Sequence, residues 1–75
     1  MSNAHHVIEL TKYLYKIPEA MVLLSMSRSV IYEQMRAGRL RFVKQGRATL
    51  VSATAIRDYV SLLEQESVVH YGETA

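Results

Sequence analysis

The 75-residue sequence predicts a mainly α domain with one small β-hairpin: three helices and two short strands. Three observations carry that expectation. Apolar residues recur at helical spacing in two neighbouring segments broken at Ser25-Met26. The period then shortens to that of a strand on both sides of Gln45-Gly46-Arg47. A third helical stripe, Ile56, Tyr59, Val60 and Leu63, closes the pattern.

Composition bounds the rest. A chain this short makes one domain with a thin core. Hydrophobic content of 49% and charged content of 21% fit a globular chain rather than a disordered one. With no Cys there is neither a disulfide staple nor a thiolate zinc site, so stability comes from packing. The apolar runs are too short for a bilayer and no signal-peptide pattern opens the chain, so a cytoplasmic location is the default expectation. Residues 1–6 read as a tag-like or disordered start, because Ser2-Asn3-Ala4 resembles the remnant of a cleaved tag and His5-His6 follow it. His70 is the one further His, so no metal is expected.

The domain then spans residues 7–66. Val7 to Tyr15 is rich in β-branched and aromatic residues and reads as an extended lead-in or short strand. Pro18 to Leu24 is the first helix: Pro tolerates a first turn, Glu19 suits the positive helix end, and Ala20, Leu23 and Leu24 keep helical spacing. Ser27 is a good N-cap for the second helix. From Arg28 onward Val30, Ile31, Gln34 and Met35 fall on one half of the wheel, while Arg28, Ser29, Tyr32, Glu33 and Arg36 fall on the other. Gly38 supplies the left-handed residue that ends it. Leu40 to Val51 is the hairpin, its tip Gln45-Gly46-Arg47 flanked by Lys44. Ser52 caps the third helix, which should fade near Glu66, leaving 67–75 as a flexible tail. Met21, Met26 and Met35 read as core filler.

Charge is segregated along this order. Between Arg28 and Arg47 six cations (Arg28, Arg36, Arg39, Arg41, Lys44, Arg47) face the single acid Glu33. Beyond Ala48 one cation, Arg57, faces Asp58, Glu64, Glu66 and Glu73. A concentrated basic segment on a small domain is the footprint of a polyanion partner.

Two short helices joined by a tight turn, the second with a polar outer face, form the arrangement that places a helix in the DNA major groove; a basic hairpin after it makes a wing. The stretch "YKIPEAMVLLSMSRSVIYEQMRAGRLRFVKQGRATLVSATAIRDYV" resembles the excisionase-type winged helix-turn-helix domains related to MerR. The matching residues are Glu19-Ala20, Leu24, Ser27 to Tyr32, Gly38-Arg39-Leu40, Gly46-Arg47, Ile56 and Tyr59. Two positions depart: Ser25 stands where a Gly is common in the turn, and Lys16 where a Ser or Thr commonly caps the first helix. The resemblance implies a winged helix-turn-helix fold, three helices plus a wing, that binds double-stranded DNA. It also implies one of two roles: an excisionase that bends DNA beside a tyrosine or serine integrase, or a small transcriptional regulator. The same resemblance implies the bacterial cytoplasm or nucleoid as the location.

The candidate DNA-binding residues are Ser27, Arg28, Ser29, Tyr32, Arg36, Arg41, Lys44 and Arg47. Each has a plainer alternative. The stripe Arg28, Tyr32, Arg36 can be a solvated face, Tyr32 can cover a core edge, and Lys44 and Arg47 can be turn residues. Ser27 and Ser29 can simply cap, although cap positions also bind phosphate. Glu33 can accept from a cytosine amino group or pair with Arg36 or Arg39. The segregated charges suggest cooperative head-to-tail loading of copies on DNA, the acidic stretch from Glu64 to Glu73 meeting Arg39 and Arg41 of a neighbour. A protein–protein adaptor using the second helix is the reading from another class. The sequence has no catalytic acid pair, Cys/His pair or Gly-rich phosphate loop, so the chain reads as a non-enzyme with no cofactor and no small-molecule ligand expected.

Overall fold

A computed structural model describes the backbone of residues 11–74 and the side chains of residues 11–67. The element order is β1 (Leu14–Lys16), α1 (Ile17–Leu24), α2 (Arg28–Arg36), β2 (Val43–Gln45), β3 (Ala48–Ser52) and α3 (Ala53–Thr74). This is the expected mainly helical fold of three helices and a wing. The tag-like stretch 1–6 and the start of the lead-in at Val7 lie outside the described residues.

The lead-in contributes more than a connection. Strand β1 pairs antiparallel with β3, setting Tyr15 opposite Val51, and β2 pairs with the other edge of β3, setting Val43 opposite Leu50. The result is a three-stranded sheet in the order β1-β3-β2 rather than a free hairpin. The backbone N–H of Ala53 extends the ladder to the carbonyl of Tyr13 at 2.8 Å. Tyr15 and Val51 are both buried, so this pair fixes which face of the sheet looks inward. The hairpin itself is shorter than Leu40 to Val51. Leu40 is fully buried in the turn after α2, and only Gly46-Arg47 separates the two strands. Gly46, at φ 61°, supplies the positive φ required at the first position of a tight type II′ turn.

Helix α1 starts at Ile17, one residue before Pro18. Lys16 has no side-chain acceptor with which to cap it. The Glu19 carboxylate instead accepts the Lys16 backbone N–H at 2.8 Å, the return half of a capping box, and also takes the Lys12 ammonium. The helix closes on a Schellman pair: the N–H of Ser25 donates to the carbonyl of Val22, and that of Met26 to Met21. Ser25 occupies the left-handed position of that motif at φ 55°, where a Gly would be unstrained. Helix α2 ends on the same device, with Gly38 at φ 77° and bonds from Gly38 to Met35 and from Arg39 to Gln34.

One core joins all of these elements except β2, whose three residues are exposed. Tyr15, Ile17 and Ala20 meet Ile31, Met35 and Leu40, and Val51, Ala53, Ala55, Ile56 and Tyr59 close it. Met35 is part of it, and Met21 and Met26 pack against it half-buried, as filler. Ser52 caps α3, its Oγ accepting the N–H of Ala55 at 3.0 Å. The helix does not fade near Glu66: its backbone continues to Thr74. No Pro follows Glu66, and once a helix is nucleated each added residue gains a hydrogen bond, so propagation continues.

Candidate nucleic-acid interface

Helix α2 begins at Arg28 because Ser27 caps it, the Oγ accepting the N–H of Val30 at 3.3 Å. Its inner face buries Ile31 and Met35, with Val30 and Gln34 half-buried beside them. That division orients the helix and leaves Arg28, Ser29, Glu33 and Arg36 exposed. These four line one shallow concavity together with Tyr32. Tyr32 belongs to two surfaces at once, since its half-buried ring also packs against the core.

The remaining candidates sit on other elements. Lys44, on β2, faces Thr49 across the hairpin and donates to its Oγ1 at 3.1 Å. Arg47 is exposed at the tip. Arg41 lies between α2 and β2 and reaches back to α3, donating to the Asp58 carboxylate at 2.7 Å. The α2 candidates thus share one surface, the wing carries two more, and Arg41 already holds an acid.

A similar pairing removes Arg39 from the exposed cations. Its two terminal nitrogens donate to both Glu66 oxygens at 2.6 and 2.7 Å, and its Nε donates to Gln34 Oε1 at 2.7 Å. Hydrogen bonding from the guanidinium holds the Glu66 carboxyl below the ordinary glutamate range, and the same bond raises Arg39. The contact spans 27 residues and ties the end of α2 to α3. No local spacing in the sequence signals it. Arg39 and Arg41, assigned from the sequence to a neighbouring copy, therefore both have partners in their own chain.

Three ion pairs form among the described residues: Lys12–Glu19, Arg39–Glu66 and Arg41–Asp58. None involves Arg28, Arg36, Lys44 or Arg47. Cations unpaired within the protein keep their charge available for an external anion. Glu33 is unpaired as well, so the ion pair weighed for it with Arg36 or Arg39 does not form.

A three-helix domain with an exposed, polar second helix and a β-wing is a winged helix-turn-helix, a class of DNA-binding module. Residues 14–61 match the helix-turn-helix domain family, well over half of the chain, and the chain belongs to that family. No curated protein matches the chain. No solved structure matches it either. Domains of this family take DNA as their partner and are typically non-enzymatic. No helix among the described residues is long and apolar enough to cross a membrane.

Proposed function

We propose that the protein binds duplex DNA sequence-specifically, laying α2 in the major groove and the hairpin on flanking phosphates, as an architectural factor of the excisionase kind. The observation that carries this is the surface formed by the exposed Arg28, Ser29 and Arg36 with the half-buried Tyr32, both arginines being free of acids among the described residues. Arg28 and Arg36 have the donor geometry for guanine edges, while Ser27, Ser29, Lys44 and Arg47 suit phosphates. Arg41 joins them only by releasing Asp58. The resemblance over Tyr15 to Leu63 supports the excisionase role, with an integrase as protein partner and DNA bending as the output.

A second reading, a small transcriptional regulator, uses the same surface and differs only in what bound DNA does next. Side-by-side loading of copies is part of the proposal, and it requires Glu66 to exchange its own Arg39 for a neighbour's, with Glu64, which forms no ion pair among the described residues, to start the contact.

Gel shifts on duplexes with one, two and three sites test binding and cooperativity together. The expected result is affinity that falls steeply with salt, cooperative filling, and DNA bending with integrase-dependent excision. Salt-insensitive or absent duplex binding would overturn the DNA reading in favour of an adaptor. Binding without bending or excision would favour the regulator.

A further inference from the structure

We infer that Glu33 is a specificity-determining residue of the α2 surface, accepting a hydrogen bond from the exocyclic amino group of a cytosine in the major groove. The inference rests on the DNA-binding reading above and names a base for it. Glu33 lies in the same concavity as Arg28, Ser29, Tyr32 and Arg36, exposed, and makes no side-chain hydrogen bond or ion pair among the described residues. Arg36 makes no ion pair with it, and Arg39 is occupied by Glu66 and Gln34.

A carboxylate at this position has no visible structural use. It sits in the second half of α2, where the helix dipole disfavours negative charge. Its side chain is exposed and is not part of the core. Facing a duplex it is repelled by every phosphate. What it adds is chemistry its neighbours lack, because an ionised carboxylate only accepts hydrogen bonds.

The major groove offers two amino donors, on cytosine N4 and adenine N6. Adenine places its N7 acceptor beside the amino group, and N7 repels a carboxylate; the cytosine edge carries no acceptor of its own. The guanine opposite that cytosine presents O6 and N7, the acceptors that Arg28 or Arg36 can take. Donor and acceptor side chains on one helix face thus fit the two halves of a G·C pair.

Site selection from a randomised duplex pool tests this with wild type, Glu33→Ala and Glu33→Gln, each checked for an unchanged thermal midpoint. Wild type should select a site with one cytosine-dominated position. Glu33→Ala should lower that preference about tenfold or more. Glu33→Gln should move the position toward adenine, whose N6 and N7 suit an amide. Both variants should bind scrambled DNA more tightly than wild type. If wild type selects a defined site and both variants select the same one with unchanged base frequencies, the Glu33 assignment is overturned while the DNA reading stands. If wild type selects no sequence at all, the DNA reading fails and takes this inference with it.

Discussion

At the scale of single residues, backbone conformation and side-chain charge separate cleanly. Ser25 and Gly38 hold the same left-handed position in equivalent helix ends, one with a Cβ and one without. A left-handed residue with a Cβ costs about 1–2 kcal/mol, and the extra unfolded freedom of Gly offsets part of any gain. Ser25→Gly should therefore stabilise the domain by about 0.5–1 kcal/mol. Gly38→Ala should destabilise it by about 1 kcal/mol through conformation alone, since a Cβ there would meet nothing within 4 Å. Denaturation midpoints at unchanged slope check both. In the proposed complex Arg28 acts through its guanidinium. Removing a bidentate guanine contact in Arg28→Ala should cost about 1–3 kcal/mol on the specific site and relax one base position. Unchanged discrimination between specific and scrambled duplexes would remove Arg28 from the reading face.

At the scale of elements, α3 is fastened to the end of α2 by Arg39 and Glu66. Because Arg39 lowers the Glu66 pKa in the folded state, the unfolded chain binds that proton more readily. The contribution is complete above the ordinary glutamate value of about 4.3 and is lost as pH falls through the lowered value. Glu66→Gln should thus be less stable than wild type near neutral pH, and the gap should close in acid. Denaturation at about pH 7 and about pH 3 measures it; a gap of equal size at both would show that charge is not what fastens the helices. Helix α2 was legible in the sequence because all its determinants are local: a cap at Ser27, an inner stripe through Ile31 and Met35, and a stop at Gly38. A short strand in the lead-in was legible too, but its pairing with β3 and the long reach of Arg39 were not, since each depends on a partner far along the chain whose approach only the packed core decides. The full length of α3 was missed for another reason. A falling apolar content after Leu63 looks like an ending, although no Pro stands there to break the helix.

At the scale of the whole molecule, the basic middle seen in the sequence is smaller than its six cations suggest. With Arg39 and Arg41 committed to Glu66 and Asp58, α2 and the wing offer four: Arg28, Arg36, Lys44 and Arg47. Each neutralised phosphate adds about 0.9 to the slope of log K against log salt, so Lys44 and Arg47 on phosphates give about 1.8, and all four cations together cap it at about 3.6. Arg47→Ala should lower it by about 0.9 and weaken specific and scrambled duplexes alike. A wild-type slope well above that figure would show that internal pairs open to release Arg39 or Arg41 onto DNA. The placement of Tyr32 has an optical consequence. The chain holds five tyrosines and no tryptophan, so its ultraviolet emission is purely phenolic. Tyr13 is 90% exposed, Tyr15 and Tyr59 are buried, and among the described residues Tyr32 alone combines a ring resting on the core with a place on the proposed DNA-reading surface. A duplex seated on α2 should quench that one fluorophore, turning the unlabelled protein into its own binding sensor, and Tyr32→Phe should silence the signal.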